Sequence, residues 1–378
     1  MEEYKENVNE KKININNNEN KELIDNPIKK INIELNIKKS SLLVYISLVK
    51  IVSAFLVILK HTNRFYWDFN DCWSSNNILS SFCMCAVPLF SLCIGATLLN
   101  FNERYDIKEY WKRRFQKVIL PIIGWNIFYY FFRIYIVKNF KKEKITLSNI
   151  IKLYFNNELY PIIGSLRTFL LGYLLIPLIA YVNKKNKIQI YSYCLVILLI
   201  NQSIIPYLLK FDRSNQIIWP YNFNVGYIIY IFAGYIIQNH SFNKGFKYCL
   251  YISGVIGLIM RLYIAHYLTM KYKQVDGTQV NYLNFPIICY SCSVFLFIKE
   301  NCIYLYKIIN IHYINKIGSL SIGPFFLHYA IIWGLPCLYD FNQYTFNFRF
   351  FGAFFISIIC FFLTALIKKI PIIKYLTP

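Results

Sequence analysis

Two residues whose side chains suit chemistry, Lys50 and His61, lie in one strongly apolar stretch of the chain. They are eleven residues apart, which on an α-helix is about 20° beyond three full turns and about 16 Å along the axis. Both side chains therefore project from the same helix face. Two interpretations remain open: the pair holds an anionic or carbonyl-bearing substrate along the helix with the imidazole at its tip, or Lys50 reaches the membrane interface and His61 is an ordinary interfacial residue.

Ionisable groups inside apolar stretches are expensive in a membrane and mark functional sites. Arg167 and His328 also hold such positions, whereas Asp and Glu fall only in the first 40 residues, in loops, or at the ends of apolar stretches. This pattern disfavours a transporter built on intramembrane carboxylates. The general base for chemistry near the membrane is then expected to be a histidine, or an acid that reaches in from a loop.

A basic run that contains Arg113, Arg114 and Lys117 stands just before the third apolar stretch. It has a plain interpretation as a topology signal, because Lys and Arg accumulate in cytoplasmic loops. Its functional interpretation is a clamp for the phosphates of a nucleotide-type donor, since arginine binds phosphate through two parallel hydrogen bonds. The charges alone leave both interpretations open.

The cysteines predict no metal or redox site. The 11 cysteines scatter through apolar stretches, and the closest groupings, Cys83 with Cys85 and Cys289 with Cys292, have no histidine beside them. We interpret them as small buried thiols. We therefore expect no metal and no permanently bound cofactor.

The elements that must position these residues are predicted by hydropathy. The chain is 56% hydrophobic and 16% charged, whereas a soluble domain has about 25% charged residues. A helix of about 20 apolar residues crosses the hydrocarbon core of a bilayer. Ten stretches fit approximately, at residues 41–62, 78–100, 118–137, 166–182, 190–209, 224–238, 248–268, 283–298, 317–338 and 350–367. The predicted fold class is all-α: a polytopic membrane protein with about ten transmembrane helices in one bundle.

The distribution of charge predicts the orientation of the chain. Its 41 Lys and Arg outnumber 19 Asp and Glu, yet the two signs cancel within the first 40 residues, so the whole net charge of +22 belongs to the remainder. Most of those cations fall in alternate loops, which predicts a multi-pass protein of the plasma (inner) membrane with both termini cytoplasmic. Residues 1–40, rich in Asn, Lys and Glu, predict a disordered cytoplasmic tail, and residues 41–378 one membrane domain. Because the cations lie between apolar stretches, we expect no nucleic-acid partner.

Segments in the first half of the chain resemble the acyltransferase family 3 membrane proteins. The stretch from Lys50 to His61 is similar to the family's opening helix, which has a basic residue, an apolar decade and a histidine. The next stretch carries Pro-Leu-Phe at 88–90 and Gly-Ala-Thr-Leu-Leu at 95–99, similar to the family's Pro-Leu-Phe…Ser-Gly…Leu-Leu segment. The basic run resembles an Arg-x-x-Arg motif followed by Ile and Pro, with the matching positions Arg114, Lys117, Val118 and Pro121.

Two later segments extend the resemblance in the family's order. Leu166-Arg167, followed by Tyr173 and Pro177, is similar to a Trp-Phe-Leu-Arg segment. Phe325-Phe326-Leu327-His328 is similar to a Tyr-Leu-x-His segment. Together the segments cover most of residues 41–370.

The resemblance implies an enzyme, an integral membrane O-acyltransferase. It implies transfer of an acyl group, commonly acetyl, from cytoplasmic acyl-CoA to a hydroxyl of a cell-surface or lipid-linked glycan, within membrane lipid. His61 would be catalytic, as a base or as an acyl carrier, together with Lys50, which would take the place of the family's arginine. Arg113, Arg114 and Lys117 would bind CoA phosphates, while Arg167 and His328 would line the central cavity. Lysine replaces arginine at 50 and 117 and cannot form a bidentate fork, which bears on donor affinity.

A flippase or exporter of a glycan, without acyl transfer, is the second hypothesis. Its support is the content of 33 Tyr and 32 Phe, whose rings could stack on sugars. Aromatic belts at the two membrane interfaces explain many of the same residues. Translocation of a glycan into vesicles in the absence of acyl-CoA would favour this hypothesis.

Overall fold

The computed structural model describes residues 27–137, 163–209, 226–306, 308–338, 343, 345–371 and 373–377. None of these residues forms a β-strand. Within these ranges the α-helices are α1 (Pro27–Thr62), α2 (Trp73–Cys83), α3 (Ala86–Leu98), α4 (Ile107–Arg114), α5 (Leu120–Phe132), α6 (Ile163–Ala180), α7 (Lys187–Leu198), α8 (Ile205–Leu209), α9 (Ile228–Asn239), α10 (Lys244–Tyr272), α11 (Phe285–Tyr306), α12 (Ile311–Gly318), α13 (Ile322–Leu338) and α14 (Phe346–Ile367).

Short π-helical segments continue three of these helices. Phe115–Ile119 joins α4 to α5, Arg133–Val137 follows α5, and Leu199–Ile204 joins α7 to α8. Bonding from residue i to i+5 replaces the usual i to i+4 in such a segment. The side chains that follow are therefore rotated relative to a continuous α-helix, which matters for the basic run at the α4–α5 junction.

The helices confirm an all-α polytopic membrane protein. Among the described residues, seven helical runs are long and apolar enough to cross a membrane, or eight if α12 and α13, bent by 58°, form one broken span. Two shorter apolar helices, Phe169–Ala180 and Ile228–Asn239, coincide with the fourth and sixth predicted stretches. The predicted number of ten crossings is thus not confirmed.

The boundary predicted at residue 40 falls inside a helix. Helix α1 begins at Pro27, so part of the segment predicted to be a disordered tail is helical. Residues 1–26 lie outside the described part of the chain. The division into a tail and one membrane domain remains a prediction.

Four helices begin at a side chain that accepts a backbone N–H. Asp106, Asn243, Asn310 and Thr345 cap α4, α10, α12 and α14 in this way. Such residues satisfy an N–H group that has no partner within the helix. The sequence thereby fixes where these four helices start.

Helix α1 lies at the centre of the bundle, in contact with α2, α3, α11, α12, α13 and α14.

The close approach between helices α3 and α9 depends on glycine. A Cβ at Gly95 of α3 would overlap the Ile231 carbonyl of α9, and a Cβ at Gly234 of α9 would overlap the Leu92 carbonyl of α3. Backbones pack this closely in membranes where small residues face each other.

Two groups of polar side chains lie along α1. The first, called the His61 end, comprises Lys60, His61, Thr62 and Asn63 at the end of the helix. The second, called the basic end, comprises Lys50 of α1 with Arg114, Lys117 and Lys368. The length of helix between His61 and Lys50, about 16 Å, separates the two groups.

Candidate functional site

His61 is held by Tyr329 of α13. The Nδ1 atom of His61 and the Tyr329 hydroxyl are 2.7 Å apart, at hydrogen-bond distance, and the two ring centroids are 4.7 Å apart. The imidazole is half-buried, whereas Tyr329 is 8% exposed. With Nδ1 engaged, Nε2 is the nitrogen of His61 left to act on a substrate.

His328 packs beside this pair, and a backbone carbonyl determines which of its ring nitrogens carries the hydrogen. Its Nδ1 lies 2.9 Å from the Pro324 carbonyl oxygen. A carbonyl only accepts, so Nδ1 carries the hydrogen and a neutral ring has its lone pair on Nε2. That Nε2 is buried and has no hydrogen-bond partner within the described residues. His328 therefore offers an unused acceptor 5.1 Å, ring centre to ring centre, from His61.

Lys60 places a positive charge directly before His61. Its Nζ donates to the Tyr282 hydroxyl at 2.7 Å and lies 4.5 Å from the centre of that ring. The side chain is half-buried, and no described carboxylate forms an ion pair with it. Lys60 thus contributes positive potential at the His61 end.

The last turn of α1 is anchored to α14 through Arg349. The Thr62 hydroxyl donates to the carbonyls of Leu59 and Arg349 at 3.0 and 2.9 Å. The Arg349 guanidinium donates to the Asn63 side-chain oxygen at 3.4 Å and to the Ser75 hydroxyl at 3.1 Å. These bonds hold the end of α1, next to His61, against α14.

A buried arginine closes the same end from α10. Arg261 donates to the backbone carbonyl and the side-chain oxygen of Asn77, at 3.0 and 2.6 Å, and to the hydroxyls of Ser80 and Ser81. Its guanidinium also lies 5.4 Å from the centre of the Tyr66 ring. We interpret Arg261 as a residue that docks α10 on α2 beside the site.

Arg114 at the basic end is half-buried between two tyrosines. Its guanidinium carbon lies 5.6 Å from the centre of the Tyr110 ring and 5.4 Å from that of Tyr173. The Tyr110 ring is tied to the backbone of Tyr173, because the Tyr110 hydroxyl donates to the Tyr173 carbonyl at 2.8 Å. The buried Nε of Arg114 has no partner among the described residues. This guanidinium is well placed to donate to an anion.

Arg113, next to it in sequence, has a different environment. It is exposed, forms an ion pair with Glu109 at 2.8 Å, and stacks 4.5 Å from the centre of the Tyr105 ring. Part of its charge is therefore already neutralised. Of the two predicted phosphate-binding arginines, Arg114 has the geometry better suited to the role.

Three lysines from separate parts of the chain lie near one another, and one of them, Lys117, also lies near Arg114. Lys117 lies within electrostatic range of Arg114 and of Lys50. The pKa of Lys368 is lowered by burial and then by the charges of Lys117 and Lys50, and its Nζ donates to the Ser319 carbonyl at 2.8 Å. Like charges that are held together in this way favour the binding of an anion.

Lys50 therefore lies with the basic end and not with the imidazole of His61. The two residues share α1, as the spacing predicted, but their surroundings differ. Lys50 is half-buried and its charged neighbours are Lys117 and Lys368. A role for Lys50 in catalysis would be exerted on the donor, at a distance from His61.

The remaining predicted residue, Arg167, lies in α6, but its side chain is outside the described part of the structure. Its place in a cavity remains a prediction. In the ranges that the structure describes, no three His, Cys, Asp or Glu side chains are grouped so as to hold a metal ion.

Sequence reasoning did not assign a site role to Tyr329 or Lys368, and it did not predict that Tyr282 holds Lys60. Tyr329 directly follows His328, but nothing in the sequence distinguishes it from the other tyrosines. Lys368 follows the last apolar stretch and resembles an ordinary topology signal. Only packing brings these side chains to His61 and Lys50.

Comparison with known proteins shows the family of the chain. Residues 43–366 match the family model described as an acyltransferase domain, that of acyltransferase family 3. The matched region includes the His61 end, most of α14, and the basic end except for Lys368. No curated protein and no solved structure matches the chain.

Proposed function

Because the chain belongs to acyltransferase family 3 and is a membrane acyltransferase, we propose that it moves an acyl group from cytoplasmic acyl-CoA to a hydroxyl of a glycan. The proposed acyl group is acetyl, and the proposed acceptor is a cell-surface or lipid-linked glycan. The observation that supports this proposal best is the half-buried imidazole of His61, tied at Nδ1 by Tyr329. A base in this setting suits a hydroxyl acceptor.

In the proposed reaction Nε2 of His61 removes the proton of the acceptor hydroxyl. The acceptor oxygen attacks the thioester carbonyl, the carbon–sulfur bond breaks, and the CoA sulfur leaves with the proton from the imidazolium. Lys60, whose ammonium lies at the same end of α1, adds positive potential where negative charge develops on the carbonyl oxygen. These steps balance: the acyl group passes from sulfur to oxygen, the proton passes from the hydroxyl to the sulfur, and no other reactant is needed.

The basic end is proposed to bind the phosphates of CoA. Arg114 offers its unpaired Nε–H, and Lys117, Lys50 and Lys368 add charge around it. In acyl-CoA the thioester stands at the far end of the extended pantetheine arm, remote from the phosphates. The separation of the basic end from His61 by part of α1 fits a donor that lies along this helix.

In this proposal the donor phosphates bind on the cytoplasmic side and His61 lies toward the opposite side. The proposal also has both termini cytoplasmic and the protein in the plasma (inner) membrane. Labelling by a membrane-impermeant reagent of single cysteines introduced at Asp71 and Lys184, in a variant whose 11 native cysteines are replaced by serine or alanine, tests the orientation. We expect labelling at position 71 in intact cells and at position 184 only after lysis.

The decisive experiment uses a deletion strain complemented with the wild-type protein, His61→Ala or His312→Ala. Mass spectrometry of surface glycans should show O-acyl groups with the wild type and with His312→Ala, an exposed histidine of α12. They should be absent with His61→Ala at equal protein level. Acylation that persists in the His61 variant would overturn the assignment of His61. Glycan transport into vesicles without acyl-CoA, with no acyl transfer, would instead support the flippase.

A further inference from the structure

We propose that Tyr329 is a positioning residue whose hydroxyl oxygen accepts the Nδ1–H of His61 and so keeps the lone pair of His61 on Nε2. The inference rests on the proposed function, in which Nε2 is the base. The inference adds the Tyr329 hydroxyl, on α13, to the site. It also states which partner donates in the hydrogen bond between Tyr329 and His61.

The first step of the argument is the chemistry of the ring. A neutral imidazole carries one N–H and one lone pair, and the partner of one nitrogen decides which is which. If the Tyr329 hydroxyl donated to Nδ1, the hydrogen of His61 would lie on Nε2 and the ring could not remove a proton there. If the hydroxyl oxygen accepts from Nδ1–H, Nε2 is free to act as the base.

The second step concerns the charged state of His61. Once Nε2 has taken a proton, both nitrogens are donors, and the Nδ1–H bond to the Tyr329 oxygen becomes charge-assisted. The same bond therefore orients the neutral ring and stabilises the imidazolium formed during the reaction. His328 cannot replace Tyr329 through its own Nδ1, because that atom is bonded to the Pro324 carbonyl.

The third step is the rigidity of Tyr329. Its ring lies 4.8 Å from the centre of the Trp333 ring on one side and 4.8 Å from that of His328 on the other. A hydroxyl on a buried, packed ring has few other positions open to it. The oxygen is therefore held at a fixed place relative to α1.

The helix that carries Tyr329 is itself fixed by a second tyrosine, Tyr129 of α5. The Tyr129 hydroxyl donates to the Phe326 carbonyl at 2.5 Å and accepts from the Ala330 N–H at 3.1 Å. These two backbone groups are four residues apart, so the hydroxyl inserts into the helical ladder beside Tyr329. Tyr129 bonds to the backbone of α13, whereas Tyr329 bonds to the His61 ring, which makes Tyr129 a matched control.

The experiment measures transfer of radiolabel from [14C]acetyl-CoA to glycan in membrane vesicles that contain the host glycan. For Tyr329→Phe we expect kcat to fall about 10- to 100-fold, because orientation and stabilisation of the base are lost. The KM for acetyl-CoA should remain within about twofold of wild type, because Tyr329 is remote from the basic end. Tyr129→Phe should lower kcat much less at equal protein level.

A nearly isosteric change tests the direction of the bond. Insertion of 3-fluorotyrosine at position 329 keeps the ring and hydroxyl, but makes the oxygen a weaker acceptor and the O–H a stronger donor. If the oxygen accepts from His61, kcat falls, by less than in Tyr329→Phe. This variant also decides the question if Tyr329→Phe fails to accumulate.

Several results would overturn the inference. They are wild-type kcat in Tyr329→Phe, an equal loss in Tyr129→Phe, or a faster reaction with 3-fluorotyrosine. Failure of the proposed function is distinguishable, since in that case the wild-type protein itself transfers no label to the glycan.

Discussion

His328 lies against His61 with ring centroids 5.1 Å apart and ring planes inclined by 30°. The two histidines come from opposite parts of the chain, α1 and α13, and each has its Nδ1 engaged by a different group. His328 retains a buried Nε2 without a partner among the described residues. The pair thus presents one nitrogen assigned to base chemistry and a second that is free to accept from a hydroxyl.

Substitution of His328 by leucine tests that second nitrogen. We expect acyl transfer from acetyl-CoA to fall about 10- to 100-fold, because the acceptor hydroxyl loses a hydrogen-bond acceptor. The unfolding temperature in detergent should stay within a few degrees of wild type, since the Nε2 that is removed has no partner among the described residues and the Nδ1 bond that is lost joins only the Pro324 carbonyl. His312→Leu, on the exposed face of α12, is the control and should change neither quantity. Full activity in His328→Leu would remove His328 from the site.

Arg114 and Arg113 make a matched pair for the donor site. Arg114→Gln should raise the KM for acetyl-CoA about tenfold, which corresponds to loss of one hydrogen bond to a charged group. Arg113→Gln should change it by less than about threefold, because that guanidinium is exposed and paired with Glu109. Steady-state kinetics in membrane vesicles measure both. Equal effects of the two substitutions would return the basic run to a topology signal.

Lys368 is expected to link CoA binding to stability. Its folded-state pKa is lowered, first by burial and then by Lys117 and Lys50, so the protonated form destabilises the free protein. Stability of the free protein therefore rises as the pH increases through that lowered pKa. CoA phosphates should relieve the same repulsion. We expect CoA to raise the unfolding temperature of Lys368→Gln less than that of wild type.

The neighbouring Lys369 supplies the control for this measurement. It is exposed, and Lys369→Gln should keep the full stabilisation by CoA. The free Lys368→Gln protein should not unfold at a lower temperature than wild type. A clear loss of stability without CoA would show that the hydrogen bond from Lys368 to the Ser319 carbonyl outweighs the repulsion.

The crossing of α3 and α9 gives a prediction about packing alone. Gly95→Ala should destabilise the protein by about 1–3 kcal/mol, because the added methyl overlaps the backbone carbonyl of Ile231, which cannot move without separating the helices. Gly245→Ala, where the nearest atom to the new methyl is a side-chain oxygen at 3.6 Å, should be close to neutral. Thermal unfolding of the two variants in detergent makes the comparison.

Part of the site could be predicted because it lies within one helix. Lys50 and His61 share α1, and α-helical geometry alone predicts their common face. Arg114 and Lys117 were also placed together, but a π-helical segment begins at Phe115, between them. The direction of Lys117 relative to Arg114 therefore could not be read from α-helical spacing. Only the structure distinguishes the half-buried Arg114 from Arg113, which is paired with Glu109.

The sequence by itself determined that this is a membrane protein, that its fold is all-α, and that one helix carries both Lys50 and His61. Hydropathy and helical periodicity are local properties, so they can be read along the chain. The tertiary structure alone decided that Tyr329, 268 residues away, bonds to His61, and that Lys368 joins Lys50 and Lys117. These contacts depend on how the helices cross, which is set by close packing between residues far apart in sequence.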